Sequence, residues 1–223
     1  IRYLLKRAVA NTMDHAGVLY MLTQEQLAHV KLPLGGLRKD QVRVIAEEHG
    51  FINARKHDSQ DICFVPDGDY AKFIEKYTGK KTPEGDFVDK EGNYIGRHKG
   101  IIHYTIGQRR GLGIPAASRL YVCEISPKTN TVVLGDNADL FSSELEADSV
   151  NLISVDNLSK PKRVTAKIRY RHKEQPATAW QTPDGILHVK FDEPQRAITK
   201  GQAVVMYDGD EVVGGGVINK IYS

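Results

Sequence analysis

Short strand patterns separated by turn signals fill the last third of the chain, and they constrain its fold more than any other feature. The segments RVTAKIRYR (163–171), ATAWQTPDGILHVKF (177–191) and AVVMYDGDEVVGGGVI (203–218) have the composition of short strands, and the last two contain the turn sequences PDG and DGD. Many short strands at close spacing are typical of a barrel or a small sandwich. We therefore predict an antiparallel β-barrel over residues 138–223.

Helical patterns occupy the first 80 residues. The segment LYMLTQEQLAHV (19–30) is rich in helix-forming residues, and a Pro-Leu-Gly-Gly sequence soon follows it. In KDQVRVIAEEHGF (39–51), apolar residues recur at helical spacing and Gly50 provides a C-terminal stop. In DYAKFIEKYTG (69–79) the apolar residues share one face, an aspartate can cap the start and Gly79 can end the helix. Three separate helices are predicted.

The chain is expected to have three parts, with an α+β and mainly β fold overall. Residues 1–65 form a helical segment that ends in a cysteine-containing loop. Residues 66–137 form a small α+β module, in which GDFVDKEGNYIG and RLYVCEISPKTNTVVLGD are predicted to be hairpins. Residues 138–223 form the barrel.

Composition excludes several classes of protein. No run of about 18 apolar residues occurs, so we expect no membrane span. The start, IRYLLKRAVA, does not have the form of a signal peptide and lacks an initiator Met, and the chain is expected to be a piece of a longer protein. Two cysteines without metal-type Cys/His spacing predict no metal site and a reducing, cytoplasmic setting. The net charge of +3 permits a nucleic-acid partner without requiring one.

Cys63, in HDSQDICFV (57–65), can be interpreted in two ways. A reactive thiol needs positive charge nearby and some exposure, and three basic residues at positions 55–57 precede it. Its apolar neighbours fit a small buried residue equally well. The local sequence leaves both interpretations open. Cys123 alternates with apolar residues in a predicted strand, and we expect it to be structural.

Two basic stretches are candidate phosphate contacts. The glycine-rich segment HKGIIHYTIGQRRGLGIP (98–115) contains adjacent Arg109 and Arg110, and glycine allows close approach of a backbone to phosphate. It is equally consistent with a tight solvated loop. Strand alternation in RVTAKIRYRH would place four cations on one face, either as a phosphate track or as a solvated surface: Arg163, Lys167, Arg169 and Arg171.

Several motifs resemble those of the tRNA-specific 2-thiouridylases, the MnmA family. HDSQDICFV is similar to the family motif D-S-x-x-I-C-F, with matches at Asp58, Ser59, Ile62, Cys63 and Phe64. LYMLTQEQL, HYTIGQRRGLGI, KIRYR and TKGQAVVMY are similar to family segments in the same order. The resemblance extends over essentially the whole chain.

This resemblance implies sulfur transfer to C2 of the wobble uridine in tRNA. In such enzymes ATP activates the C2 oxygen by adenylylation, a cysteine persulfide delivers the sulfur and AMP leaves. Cys63 matches the persulfide-bearing cysteine, and a sulfur-donor protein is the expected partner besides tRNA. The tRNA contacts of the family fall on Arg169, Tyr170 and Gln202.

The sequence departs from the family pattern at two points. The S-G-G-x-D-S motif and the second catalytic cysteine are absent, so we expect the ATP site to lie outside this chain and the chain alone not to complete the reaction. The tRNA-contacting D-Q-S/T stretch aligns with Asp14, His15 and Ala16, of which Asp14 matches. A stand-alone RNA-binding or sulfur-carrier protein is the alternative.

Overall fold

The computed structural model describes residues 1–9, 15–56, 65, 68–115, 118–170 and 172–222. The chain forms two compact units. The first, called the barrel unit, comprises Ile1–Lys56, Ser142–Gln195 and Thr199–Ser223, and the second, called the hairpin unit, comprises His57–Phe141 and Arg196–Ile198. Residues 1–56 thus cluster with the C-terminal third of the chain. The predicted boundaries near residues 65 and 137 stay predictions.

Ten strands and four α-helices occur among the described residues. The helices are α1 (Ala16–Leu19), α2 (Gln24–His29), α3 (Lys39–Glu48) and α4 (Tyr70–Thr78). The strands are β1 (Gly85–Val88), β2 (Tyr94–His98), β3 (Tyr121–Ser126), β4 (Thr131–Gly135), β5 (Phe141–Leu152), β6 (Lys162–Lys167), β7 (Gln175–Gln181), β8 (Leu187–Arg196), β9 (Ala203–Asp208) and β10 (Glu211–Tyr222). None of the described helices combines the length and the apolarity needed to cross a bilayer. The α+β, mainly β fold class is confirmed.

Six strands of the barrel unit close into a barrel in the order β10-β5-β8-β7-β6-β9. Alternate residues of β7 and β8 are buried, as expected for strands with one face inward. The middle of β9 is buried on both faces, because Leu5, Ala16 and Tyr20 of the N-terminal segment form a cluster with Val205 and Tyr207. The predicted C-terminal antiparallel barrel is confirmed.

The hairpin unit is built on a four-stranded sheet with the order β2-β1-β4-β3. Both predicted hairpins are present, and β1 joins them by pairing parallel to β4. The carboxylate of Asp69 accepts a hydrogen bond from the Lys72 N–H and caps α4, which ends at Gly79 with φ +67°. The core of the unit consists of Phe87, Tyr104, Val122, Val132 and Leu134.

His98 is buried in this core and has a structural role. Its Nδ1 accepts a hydrogen bond from the Gly100 N–H at 3.1 Å, so Nε2 carries the proton and donates to the Asn130 carbonyl at 3.1 Å. The ring meets Phe87 and Tyr104 edge-on. His98 therefore ties the end of β2 to the turn between β3 and β4.

The single helix expected over residues 19–30 is wrong, because the chain breaks between α1 and α2. Thr23 begins a new helix: its Oγ1 accepts from the Gln26 N–H at 3.2 Å, and Gln26 Oε1 accepts from the Thr23 N–H at 2.9 Å. This reciprocal arrangement is a capping box, which satisfies two backbone donors at a helix start. The helix-forming residues on both sides of Thr23 had led to the prediction of one continuous helix.

Tyr20 fastens α1 to the barrel. Its side chain is 2% exposed, and the backbone around it is held by Asn151, whose Nδ2 donates to the carbonyls of Tyr20 and Leu22 at 2.6 and 3.0 Å. Gly215 on β10 leaves room for the ring. A Cβ at that position would lie 2.8 Å from the ring and 2.5 Å from the Val204 carbonyl oxygen.

We predict that Gly215→Ala destabilises the barrel unit by about 1–3 kcal/mol or more, since an added methyl group overpacks a filled site. Gly17→Ala is the matched control, because a Cβ at Gly17 meets no atom within 4 Å and alanine favours a helix. Urea unfolding followed by circular dichroism measures both. An unchanged midpoint for Gly215→Ala would contradict the role assigned to this contact.

Candidate nucleic-acid interface

Three residues predicted to contact nucleic acid lie at one end of the barrel. Arg169 and Tyr170 follow the end of β6, and Gln202 immediately precedes β9. Because β6 and β9 are adjacent and antiparallel, the end of one lies beside the start of the other. The guanidinium of Arg169 donates to Thr199 Oγ1 at 2.7 Å, which links the two connecting segments directly.

Tyr170 presents its ring to solvent and is 51% exposed. Alternation along RVTAKIRYR would put Tyr170 on the apolar side of a continued strand, but β6 ends at Lys167, so Tyr170 follows the strand. Lys167 Nζ lies 6.0 Å from the centroid of the Tyr170 ring, and the His15 ring lies 6.4 Å away at an angle of 53°. An exposed aromatic ring beside a lysine suits stacking on an unpaired base.

His15 is a neighbour of this site that the sequence did not identify. In the sequence, His15 stood out only as a mismatch to the family motif that begins at Asp14. Its position beside Tyr170 depends on the docking of α1 against the barrel, a contact between residues about 150 positions apart. Asp14 itself lies outside the described residues.

The predicted row of four cations is not a uniform phosphate track. Arg163 forms a two-pronged ion pair with Asp192, with nitrogen–oxygen distances of 2.7 and 2.6 Å. Arg169 is only partly exposed and is directed at Thr199, and Arg171 lies outside the described residues. The cations of this strand are therefore not equivalent, and the charge of Arg163 is paired with a carboxylate.

Arg109 and Arg110 lie in the hairpin unit on a loop of defined shape. The side chain of Gln108 braces this loop: Oε1 accepts from the Thr105 N–H and Nε2 donates to the Arg110 carbonyl, both at 3.0 Å. Gly111 has φ +76°, a conformation that favours glycine. Both arginines are exposed, and neither forms an ion pair with another residue in the described ranges.

Of the two cysteines, Cys123 lies among the described residues and Cys63 does not. Cys63 and most of its motif lie outside the described residues. Cys123 is half-buried on β3, and its thiol donates to the Tyr121 carbonyl at 3.4 Å. Burial, and then the negative charge of Asp139, raise the pKa of the Cys123 thiol to about 11. Cys123 is therefore a protonated, weakly nucleophilic thiol at neutral pH, as expected for a structural residue.

The N-terminus of α3 does not fit a triphosphate. Two glycines precede α3, but Asp40 places a carboxylate in its first turn and pairs with Arg38 at 3.2 Å. A negative charge at a helix N-terminus opposes anion binding there. The described part of the chain also contains no group of three or more His, Cys, Asp or Glu side chains that could hold a metal ion.

Three family models match consecutive parts of the chain. They are described as a tRNA methyl transferase HUP domain over residues 2–67, a tRNA methyl transferase PRC-barrel domain over 71–136 and an aminomethyltransferase β-barrel domain over 142–218. Together they cover all but short connecting and terminal segments.

Curated relatives are similar over nearly the whole chain. A tRNA-specific 2-thiouridylase MnmA of Clostridioides difficile is 56% identical over 98% of the chain and 61% of the relative. Proteins with the same description from Acetivibrio thermocellus and Caldanaerobacter subterraneus are 54% and 52% identical, over 97% and 98% of the chain and 60% of each relative. The chain spans about 60% of the length of the curated relatives it matches.

We predict that iodoacetamide at neutral pH labels Cys63 faster than Cys123 in the native chain. With a pKa of about 11, only on the order of one Cys123 in ten thousand is a thiolate at pH 7. Labelling of Cys123 should rise as the pH approaches 11, because the thiolate fraction then grows. Mass mapping of peptides gives both rates. The Cys63→Ser variant should label slowly when native, and faster labelling of Cys123 than of Cys63 would contradict the assignment.

Proposed function

The chain belongs to the family of tRNA-specific 2-thiouridylases, and we propose that it is the sulfur-carrying and tRNA-binding part of a cytoplasmic enzyme that replaces the C2 oxygen of the wobble uridine with sulfur. The observation that carries this proposal is the similarity to named 2-thiouridylases at 47–56% identity over at least 97% of the chain. No observation favours a stand-alone RNA-binding or sulfur-carrier protein.

Cys63 is the proposed sulfur carrier. Its thiolate would attack the outer sulfur of a persulfide on a donor protein, so that the donor's S–S bond breaks, the donor cysteine leaves as a thiolate and Cys63 becomes the persulfide. The high pKa of Cys123 supports this assignment indirectly, since it leaves Cys63 as the stronger candidate. ATP is the proposed co-substrate of the whole enzyme, and the N-terminus of α3 is not proposed as its site because the carboxylate of Asp40 lies in its first turn.

The barrel end supplies the proposed tRNA contacts. Tyr170 would stack on an unpaired base, Arg169 would bind a phosphate and Gln202 would offer an amide to a base or ribose. The exposure of Tyr170 and the cation near its ring support this arrangement. Asp14 is proposed as a further contact on sequence grounds, and Arg109 and Arg110 as contacts made by the hairpin unit.

Persulfide formation tests the carrier role. We predict that a small-molecule persulfide donor adds one sulfur, about 32 Da, to the peptide that contains Cys63. The Cys63→Ser variant should gain no sulfur, whereas Cys123→Ser should behave like the wild type. Mass spectrometry of the native chain, with and without a reductant, identifies the modified peptide. Sulfur retained on Cys123 in preference to Cys63 would overturn the assignment.

Stacking and charge can be separated in a tRNA-binding titration. We predict that Tyr170→Ala weakens binding by about 5- to 100-fold, the range for loss of one base–aromatic stack, without changing the salt dependence. Tyr170→Phe should retain most of the affinity, because it keeps the ring. Equal affinity of all three proteins would show that Tyr170 stacks on no base.

The arginines of β6 and its following turn form a matched pair of tests. Arg169→Ala should lower the slope of log affinity against log salt by about 0.7–0.9, the loss of one phosphate contact. Arg163→Ala should leave the slope unchanged, since Asp192 already neutralises that arginine. The same fluorescence titration at several salt concentrations measures both variants. Identical slopes for the two variants would contradict the contact assigned to Arg169.

A further inference from the structure

The excess positive charge of the chain is concentrated in one stretch. Residues 92–123 contain five of its 31 Lys and Arg residues and none of its 28 Asp and Glu residues. The rest of the chain therefore has slightly more acidic than basic residues. Such a stretch in a nearly neutral chain marks a place where an anionic ligand is attracted rather than repelled.

A cavity of about 520 Å³ opens within this stretch, in the hairpin unit. Two arginines, Arg109 and Arg119, line it together with Ser118, the backbone of Gly111 and Gly113, and apolar side chains. No carboxylate lines it. A Cβ at Gly113 would meet no atom within 4 Å, so the backbone there is open to a ligand. The cavity thus combines cationic forks, a hydroxyl and an accessible backbone.

The arginines of this region are available to a ligand. Arg109, Arg110 and Arg119 are exposed and form no ion pair with any residue of the described ranges. Arg97, in the same basic stretch, differs: its guanidinium lies 2.9 Å from Asp86 and 3.7 Å from Glu84. Arg97 is therefore paired with carboxylates, whereas the arginines at the cavity have no such partner among the described residues.

The loop that carries these arginines is anchored to the core of the hairpin unit. Leu112, Ile114 and Leu120 pack against the core cluster that includes Phe87 and Val122. Their apolar side chains point inward while the neighbouring arginines face solvent. Because these apolar contacts hold the described residues on either side of the cavity, a ligand would bind with a reduced cost of ordering them.

We propose that this cavity binds backbone phosphates of the RNA substrate, with Arg119 and Arg109 as its principal donors. The inference rests on the proposed function, since it takes tRNA as the ligand. Arginine forms two parallel hydrogen bonds with a phosphate, and contacts of this kind position an RNA without reading its bases. Arg119 has no counterpart among the residues that the sequence predicted to bind tRNA. On this proposal the cavity, in the hairpin unit, positions the RNA, and the residues at the end of the barrel contact its bases.

Charge-matched variants test the proposal. Arg119→Gln and Arg97→Gln each remove one positive charge from the hairpin unit. In titrations of the 223-residue chain with a tRNA transcript, Arg119→Gln should lower the log–log salt slope by about 0.7–0.9 and weaken binding roughly three- to tenfold at about 0.1 M salt. Arg97→Gln should change neither, because its charge is already paired. Equal effects of the two variants, or none from Arg119→Gln, would overturn the proposal.

A second comparison separates this inference from the proposed function. If Tyr170→Ala weakens tRNA binding and Arg119→Gln does not, the cavity assignment is wrong and the tRNA-binding function stands. If Arg119→Gln alone weakens binding, the cavity assignment stands and the barrel-end site is wrong. If neither does, both are wrong.

Inorganic tripolyphosphate distinguishes an RNA site from a site for free phosphate. On the proposal, tripolyphosphate competes weakly with tRNA in the wild-type chain, and Arg119→Gln reduces the affinity for both. If Arg119→Gln abolishes tripolyphosphate binding and leaves tRNA affinity unchanged, the cavity serves a free phosphate compound and the RNA assignment is overturned.

Discussion

The antiparallel pairing of β6 with β9 is the constraint on which the barrel-end site depends. It places Lys167 opposite Val205, so the residues that follow β6 and those that precede β9 must leave the barrel side by side. Arg169, Tyr170 and Gln202 come together for this reason, although more than 30 positions separate them in the chain. A closed barrel fixes each strand by two neighbours, so the register of this pair cannot shift without disrupting the others.

The N-terminal segment depends on the same barrel. Tyr20 fills the space above Gly215, and Asn151 on β5 holds the turn that follows α1 through two carbonyl groups. These contacts bring His15 to the ring of Tyr170. Residues 30–56, by contrast, contribute no buried side chain, and α3 is amphipathic without a buried face. Within the described ranges, the part of this segment that the barrel organises ends near α2.

The local sequence predicted which strands and helices form more accurately than the residues at which they begin and end. The barrel, the two hairpins and α4 followed from periodicity and turn residues, because in these places the local pattern and the tertiary structure agree. The break at Thr23 was visible as a T-x-x-Q capping signature, and the helix formers around it led to the wrong continuous helix. The end of β6 was not visible, because Ile168 is buried and continues the alternation beyond the last paired residue. The strand ends where its backbone pairing with the neighbouring strand ends, and the alternation of apolar and polar residues does not show this point.

The candidate site illustrates the same limit. Arg163 and Arg169 are equivalent by alternation, yet one is paired with Asp192 on β8 and the other is directed at Thr199. Neither contact can be read from the sequence without the strand register. Cys63 and Asp14 were identified through family motifs, and they stay predictions because they lie outside the described residues. His15 and Arg119 were missed because their significance lies in neighbours that the fold supplies.

Paired and unpaired arginines differ in what they contribute to binding. An arginine already held by a carboxylate, such as Arg163 or Arg97, must break that pair before it can bind a phosphate, and it displaces few counterions when it does. An arginine without a carboxylate partner can bind a phosphate and release its counterions without first breaking an ion pair. In a chain with 31 basic and 28 acidic residues, net charge therefore says little about affinity for RNA. The cations that matter are those that the fold keeps away from carboxylates, and Arg109 and Arg119, on a loop anchored by Leu112, Ile114 and Leu120, are of this kind.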